Sequence, residues 1–280
     1  MGACGGRLGL RQYSAVLLAK SLRSLLIAFI SDLHSNWEAL QTALDDIESL
    51  GVSRVVCLGD VIGYGASPKI VAETTRKRCF HVLQGNHDAA LLDDADMQGF
   101  NPRARKAIEW TRKALDPEDP GNLDLWDWFG ELKASTAMEI PDAETIQLVH
   151  ASPCDPLAEY LMPGFPADHP KIQANFDSME HRLVFFGHTH HPGVFEEGRD
   201  FWRAQGHDAR FLIQPGKKCF INVGSVGQPR DHDPRLAYAL FDGEEVRWRR
   251  LEYDVDAAAN RILREPELPE VLGTRLTIGR

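Results

Sequence analysis

Five short apolar runs in this 280-residue sequence are each followed at once by Asp, Asn or His. Apolar runs of this length are typical of strands buried on both faces, and open α/β sheets carry their functional loops at the carboxyl ends of such strands. We therefore expect these polar side chains to meet at one edge of a sheet. The runs and the residues after them are 26–30 with Asp32 and His34, 55–58 with Asp60, 79–83 with Asn86, His87 and Asp88, 146–149 with His150, and 183–186 with His188 and His190.

The segment from Gly85 to Asp88, with the sequence G-N-H-D, is the densest of these endings. Alone it is a weak signal, because Gly-Asn is also an ordinary turn dipeptide and a solvated loop would explain it. The other four endings favour a shared site over that interpretation.

The first part of the chain predicts a β-α-β unit. Apolar runs at 25–30 and 54–58 flank a segment, 37–47, whose apolar positions recur at helical spacing. Because a crossover of this kind pairs its two strands in parallel, we expect Asp32 and Asp60 to lie side by side.

Residues 89–144 interrupt this pattern and predict a helical insertion over the site. The segment contains helix-opening and turn signals, including Asn101-Pro102 and the stretch 117–121. Helical spacing favours core packing for its tryptophans and a solvated face for its arginines, such as Arg105 and Arg112. The alternatives are stacking of the tryptophans on a nucleobase and contacts of the arginines with substrate phosphates.

Short strands separated by turns dominate the region 191–253, and close spacing of this kind favours an antiparallel sheet. Together with the parallel unit at the start, these strands predict an α/β fold. Two mixed sheets would pack face to face as the inner layers of a four-layer α-β-β-α sandwich. Residues 255–263 predict a short helix.

Composition limits the domain count and the partners. A hydrophobic content of 43% is enough for a sizeable core, so we expect one domain at 25–253, an N-terminal extension at 1–24 and a helical tail at 254–280. The formal net charge of -10 argues against binding to nucleic acid backbones, which depends on clustered Lys and Arg. The negative net charge is compatible with a small phosphorylated substrate, because bound metal ions make the electrostatic potential locally positive.

The sequence favours a cytoplasmic protein. No apolar run approaches the length that crosses a bilayer, and the five cysteines lack C-x-x-C spacing, which is typical of reduced thiols. Residues 1–24 are basic and contain a short apolar stretch, so a signal or transit peptide is the alternative to a disordered extension. The sequence leaves the oligomeric state open.

In chain order, the five endings read D-x-H, G-D, G-N-H-D, a lone His and G-H-x-H. This ordered set resembles the calcineurin-like metallophosphoesterases, and the resemblance spans roughly residues 25 to 242. The run N-V-G-S-V-G-Q-P-R at 222–230 is similar to the small bacterial phosphoesterases of the diadenosine tetraphosphatase-like branch. The resemblance implies a metal-dependent phosphoric ester hydrolase with the fold described above.

The resemblance further implies two divalent metal ions per chain that share one carboxylate. Two such ions can activate a water molecule and clamp a phosphoryl group. Mixed imidazole and carboxylate ligands suit Mn, Fe, Zn, Co or Ni better than Mg or Ca. The implied ligands are Asp60 as the bridge, Asp32, His34 and His190 for one ion, and Asn86, His150 and His188 for the other.

Three more residues belong to the expected site. His87 matches the family's histidine that contacts the phosphate and protonates the leaving oxygen, and Asp88 is expected to orient its ring. Loop packing is the alternative for both. Arg230 is suited to holding a second phosphate, whereas ion pairing with Asp231 or Asp233 is the competing explanation.

The sequence thus predicts a phosphoesterase that acts on an ester or anhydride of a small nucleotide-like substrate, with diadenosine tetraphosphate as one candidate. A serine/threonine protein phosphatase would share the chemistry but would need an open groove. A metal-stabilised scaffold without turnover would share the fold, although the complete ligand set counts against it.

Overall fold

The computed structural model describes residues 26–140 and 143–280, so the expected N-terminal extension at 1–24 lies outside the described residues. Two six-stranded mixed sheets form the centre of the fold. The first contains, in spatial order, β3 (His81–Val82), β2 (Arg54–Cys57), β1 (Ile27–Ile30), β11 (Leu236–Phe241), β12 (Glu245–Leu251) and β9 (Asp208–Leu212). The second contains β4 (Ser135–Met138), β5 (Ile146–Val149), β6 (Leu183–Phe186), β10 (Cys219–Asn222), β7 (Gly193–Glu196) and β8 (Trp202–Arg203).

Helices cover the outer faces of both sheets. None of the helices in the described part of the chain combines the length and the apolar character that a bilayer crossing requires. They are α1 (Trp37–Ser49), α2 (Pro68–Arg78), α3 (Asn86–Leu92), α4 (Pro102–Ala114), α5 (Leu123–Glu131), α6 (Pro170–Ser178), α7 (Val255–Leu263) and α8 (Val271–Thr274), with 3-10 turns at Asp94–Met97 and Leu276–Ile278.

The predicted β-α-β unit is confirmed. Strands β1 and β2 pair in parallel with Ile27 opposite Arg54, and the side chain of Asn36 caps α1 by accepting a hydrogen bond from the backbone N–H of Ala39 (3.1 Å). The loops that leave the two strands therefore run side by side at the carboxyl edge of the first sheet.

The strands after residue 190 pair with one another in antiparallel fashion, as predicted, but they are divided between the two sheets. Strand β11 pairs antiparallel with β1 in the first sheet, whereas β10 pairs in parallel with β6 and antiparallel with β7 in the second. Close spacing along the chain predicts that strands exist, but it does not specify which sheet gives each of them a hydrogen-bonding neighbour.

Alternation along the central strands creates the four predicted layers. On β1, Ile27 and Phe29 enter the core between the two sheets, whereas Ala28 and Ile30 face the outer helices. Phe29 stacks on Phe185 of the second sheet with ring centroids 4.3 Å apart. The inner core therefore sets the spacing of the two sheets.

The segment 89–144 is only partly helical. Its last part forms the edge strand β4, which pairs antiparallel with β5, so the prediction of an all-helical insertion is wrong at that end. Trp126 and Trp128 pack against the core between the first sheet and its helices, which is the core alternative for these aromatic rings.

Arg112 in this segment does not project towards a substrate. Its Nε atom donates to the backbone oxygen of Leu91 (2.9 Å), its Nη2 atom donates to that of Ala90 (2.7 Å), and it pairs with Asp94. The side chain fastens α4 to α3, which differs from the solvated helix face that the sequence favoured for Arg112. The guanidinium of Arg105 donates to the backbone oxygen of Met97 (3.3 Å).

Candidate metal centre

The loops that follow the central strands are tied to one another by backbone hydrogen bonds. The N–H of Asp32 donates to the oxygen of Gly59, and the N–H of His34 donates to that of Asp60, both at 3.0 Å. In the second sheet the N–H of Gly187 donates to the oxygen of His150, also at 3.0 Å. These bonds fix the positions from which the polar side chains project.

Five of the expected ligands adopt the left-handed backbone conformation, in which Cβ crowds the following carbonyl group. Such strain persists only where the surrounding structure enforces it, and it concentrates at functional sites. The residues and their φ angles are Asp32 (53°), His34 (45°), Asp60 (53°), His188 (59°) and His190 (62°).

The glycine of the G-N-H-D segment is explained by close packing. A Cβ atom at Gly85 would collide with both the backbone nitrogen and the Oδ1 atom of Asp60. Only glycine lets the third loop approach Asp60 so closely. The backbone N–H of His87 then donates to the same Oδ1 atom (2.8 Å).

The structure brings all seven expected ligands together as two buried donor groups that share Asp60. The ligand atoms within each group lie within 4.8 Å of one another. Asn86 joins the second group through its Oδ1 atom, which lies 3.2 Å from the Nε2 atom of His150. The first group is Asp32, His34, Asp60 and His190, and the second is Asp60, His150 and His188.

Backbone carbonyl groups orient most of the imidazoles. The Nδ1 atoms of His34 and His150 lie 3.3 Å and 2.8 Å from carbonyl oxygens, and Nδ1 of His190 contacts another. A proton on Nδ1 donates to the carbonyl group and leaves the Nε2 lone pair free for a metal ion. The ring of His188 is reversed, since its Nε2 atom faces the backbone oxygen of Ala158 (3.2 Å).

Burial shifts the pKa values of carboxyl groups and imidazoles in this cluster. It raises the pKa of Asp32 to about 6, and burial together with the charge of Asp32 raises the pKa of Asp60. Burial lowers the pKa of His34, His188 and His190, so these rings stay neutral. Neutral imidazoles around shared carboxylates are the donor set that divalent transition metals prefer, so the residues fit such ions.

His87 lies against this cluster. Its ring centroid is 4.9 Å from that of His34, 4.4 Å from that of Tyr64 and 4.7 Å from that of Phe100. Its Nδ1 atom is buried and has no hydrogen-bond partner in the described part of the chain. Burial, followed by the charge of Arg230, lowers the pKa of this ring. His87 is therefore a neutral imidazole with a free nitrogen.

The carboxylate of Asp88 braces the loops and does not contact the His87 ring. It accepts hydrogen bonds from the backbone N–H groups of Gly85 (2.9 Å), Val61 (3.0 Å) and Ile62 (3.2 Å). Burial raises the pKa of Asp88 to about 7. In this structure Asp88 orients the two loops that carry Asp60 and His87, which differs from the expected direct contact with the imidazole.

The arginines that follow Gly224 and Ser225 in sequence have separate environments. Arg235 pairs with Asp233 (2.6 Å), and the carboxylate of Asp231 is paired with Arg250, so ion pairing is the outcome for both acidic residues. Arg230 is not in either pair. Its guanidinium carbon instead lies 5.7 Å from the ring centroid of Tyr64, beside the metal centre.

Two aromatic residues at the site were missed by the sequence-based predictions. Tyr64 contacts the rings of His34 (4.7 Å) and His87, and Tyr160 lies 4.0 Å from the ring centroid of His188. The run V-I-G-Y-G directly after Asp60 is a signal for Tyr64, because loops rich in glycine often permit close approach. Tyr160 has no comparable local signal.

Known proteins are similar to this chain in sequence and in structure. The family model described as the calcineurin-like phosphoesterase superfamily domain matches residues 25–245. The uncharacterized protein MJ0912 of Methanocaldococcus jannaschii is 36% identical over 259 residues, which cover 91% of this chain and 98% of that protein.

Solved structures extend the comparison. A metallophosphoesterase from Sphaerobacter thermophilus is 32% identical, with a TM-score of 0.74 and coverage of 91% of this chain and 99% of the other. The hypothetical protein PH1004 of Pyrococcus horikoshii shares the fold at 21% identity, with a TM-score of 0.70 and coverage of 91% and 98%. With the family model spanning most of the chain and the buried donor groups in place, this protein belongs to the calcineurin-like phosphoesterase superfamily of metal-dependent phosphoesterases.

Proposed function

We propose that this protein hydrolyses phosphate ester or anhydride bonds in a small nucleotide-like substrate and that it uses two divalent metal ions to do so. The observation that carries the proposal is the sharing of Asp60 by two buried donor groups. One carboxylate between two sets of imidazoles suits a pair of cations better than a single one. Mn, Fe, Zn, Co and Ni are the candidates.

When bound, the ions would acidify a water molecule and neutralise the phosphoryl oxygens. The chain's own contribution is to orient the phosphate and to move a proton. The imidazole ring of His87 lies against His34 of the metal centre and is not one of the expected ligands, so it is the candidate donor to the leaving oxygen. A bound phosphate would raise the pKa of this imidazole, because a nearby negative charge favours the protonated form.

Aromatic side chains around the centre favour a small substrate over a protein chain. Tyr64, Phe100 and Tyr160 lie against the histidines of the site and come from three separate segments. Their rings are suited to a nucleobase or another flat group. Arg230 is suited to a further phosphate, which supports a substrate of the dinucleoside polyphosphate kind, such as diadenosine tetraphosphate.

A metal-supplemented substrate screen tests the proposal. Metal-free protein is loaded with each of the five metals in turn and assayed against a phosphomonoester, a bis(p-nitrophenyl) phosphodiester, a dinucleoside polyphosphate and a phosphopeptide. We expect the phosphodiester or the dinucleoside polyphosphate to give the highest kcat/KM, and the metal content to reach two ions per chain.

Two results would contradict the proposal in different ways. A preference for the phosphopeptide would identify a protein phosphatase. Full metal binding without turnover of any substrate would identify a metal-stabilised scaffold.

An Asp45→Asn variant serves as the matched control for changes at Asp60, since Asp45 is an exposed carboxylate on α1.

A further inference from the structure

Arg230 is held at the edge of the site without an acidic partner. In residues 26–140 and 143–280, its guanidinium makes one hydrogen bond, from Nη2 to the side-chain oxygen of Gln228 (3.0 Å). Its Nε atom is buried and has no partner among these residues. The acidic residues that follow it in sequence, Asp231 and Asp233, are paired with Arg250 and Arg235. The charge of Arg230 instead acts on Asp32 and Asp60 of the metal centre, where it opposes the rise in their pKa, and metal ions bound by these two residues would leave it available to a ligand.

A second arginine reaches the same place from the C-terminal tail. The guanidinium carbon of Arg275 lies 5.8 Å from the ring centroid of Tyr64, and that of Arg230 lies 5.7 Å from the same centroid. The Tyr64 ring also contacts His34 and His87, so it connects both guanidinium groups to the metal centre. Two cations from distant parts of the chain thus share one aromatic ring.

The two guanidinium groups repel each other. Burial and the charge of Arg230 lower the pKa of Arg275 to about 10, and the charge of Arg103 at the start of α4 contributes in the same direction. Among the described residues, neither Arg230 nor Arg275 forms an ion pair with an acidic side chain, and the Nε atom of Arg275 donates to the oxygen of Arg280. Like charges brought together in a partly buried place are unfavourable unless an anion neutralises them.

We propose that Arg230 and Arg275 form a second anion-binding subsite beside the metal centre, and that this subsite takes the phosphate next to the one that is hydrolysed. This inference rests on the proposed function and narrows it to substrates that contain a phosphoanhydride chain. The planar forks of two guanidinium groups match the oxygens of a tetrahedral phosphate and hold it bidentately. The C-terminal tail is then part of the substrate-binding surface.

The test compares two substrates that differ in the number of phosphates between the same two nucleosides. Diadenosine triphosphate carries neighbouring phosphates, whereas the single phosphodiester of two adenosines does not. For the wild-type protein we expect a higher kcat/KM with the triphosphate. Arg275→Gln should lower the ratio of the two kcat/KM values by about tenfold, because one charge-assisted bidentate contact is lost.

Two further variants separate recognition from structural damage. Arg275→Lys keeps the charge without the planar fork and should recover part of the ratio. Arg264→Gln changes an exposed arginine on the same tail and should leave the ratio at its wild-type value. If Arg275→Gln only damaged folding, kcat/KM would fall equally for both substrates and the ratio would not change. That result would overturn the subsite.

The subsite and the proposed function can fail separately. Turnover of other phosphate esters with no preference for the triphosphate would overturn the subsite and leave the proposed function standing. If no substrate is hydrolysed, the proposed function fails, and calorimetric titration of the metal-free protein with inorganic tripolyphosphate decides the subsite. In that case weaker binding by Arg275→Gln than by Arg264→Gln supports it, and equal binding overturns it.

Discussion

The Nε2 atom of His34 lies 3.2 Å from the Nε2 atom of His190, and the Nδ1 atom of each ring faces a backbone carbonyl oxygen. The carbonyl groups hold the protons on Nδ1, so the two Nε2 lone pairs point towards each other. Asp32 and Asp60 place two buried carboxyl groups beside the same two rings. The arrangement is repulsive until a cation enters between the donors.

Removal of metal should therefore lower the melting temperature. A ligand that binds only the native state adds about 4 kcal/mol to the free energy of unfolding when its concentration is 1,000 times its Kd. Differential scanning calorimetry with and without a chelator measures the change, and added metal should reverse it. Equal melting temperatures in the two conditions would mean that the donor groups do not bind metal.

Asp60→Asn should weaken the binding of both ions. The amide keeps the shape of the carboxylate but removes the negative charge that the two donor groups share. Substitution of a residue that only supports a ligand lowers metal affinity by about 10–100-fold, and we expect a larger loss of affinity here. Metal content is measured by elemental analysis after dialysis, with Asp45→Asn as the control. Two tightly bound ions in Asp60→Asn would contradict the bridging role.

His87→Ala should slow catalysis without releasing metal. General acid catalysis contributes about 10²–10⁴-fold, and only substrates with a poor leaving group need the proton. Rates are compared for an alkyl phosphodiester and a nitrophenyl phosphodiester. Equal losses on the two substrates would argue that His87 positions the phosphate and does not protonate it.

Arg112→Ala should destabilise the fold without changing substrate preference. The substitution leaves two carbonyl groups on α3 without their donor, and hydrogen bonds to a charged group contribute about 1.5–3 kcal/mol each. Urea unfolding measures the loss, with Lys106→Ala as the control because Lys106 is exposed on the same helix. A fall in kcat/KM with nucleotide substrates alone would instead indicate that Arg112 contacts the substrate.

Asp46 links pH to stability far from the metal centre. Burial opposes its ionisation, but hydrogen bonds from Arg249 and Tyr238 prevail and lower the pKa of this carboxyl group. An Asp with a lowered folded-state pKa stabilises the protein above its unfolded value of about 3.9, and the benefit is lost as pH falls through the folded-state pKa. Asp46→Asn should therefore cost more stability at pH 7 than below pH 4.

Chemical denaturation of metal-free wild-type protein and Asp46→Asn across this pH range checks the prediction. We expect the difference in the free energy of unfolding to be about 1–3 kcal/mol at pH 7, because a buried charged network loses its acceptor. The difference should shrink as the wild-type carboxylate becomes protonated. A difference that is independent of pH would assign the effect to packing.

The sequence predicted the centre of the fold well because its signals are local. An apolar run and the polar residue after it lie within a few positions of each other, as with Asp60 after β2, and parallel pairing then places neighbouring loops together. The second sheet was harder to predict. Strand β4 is short and partly exposed, so it lacks the apolar run that identified the other strands.

Contacts between distant segments explain what sequence reasoning missed. Tyr64 and Arg275 meet although they lie far apart in the chain, and no residue pattern in the tail anticipates the contact. The role of Asp88 was also missed, since adjacency to His87 suggested a hydrogen bond to its ring, whereas the carboxylate accepts hydrogen bonds from backbone N–H groups. Side-chain direction depends on how the loops pack.

The inner core, in which Phe29 stacks on Phe185, also determines the dimensions of the metal site. The donors Asp32 and Asp60 come from the first sheet, whereas His150 and His188 come from the second, so the thickness of the core is also the width of the metal site. Sliding one sheet past the other by a single residue, about 3.3 Å, would move the donors out of reach of a common ion. The inner core therefore sets the distances between the donors. A substitution there that the fold tolerates can still change these distances and lower the catalytic rate.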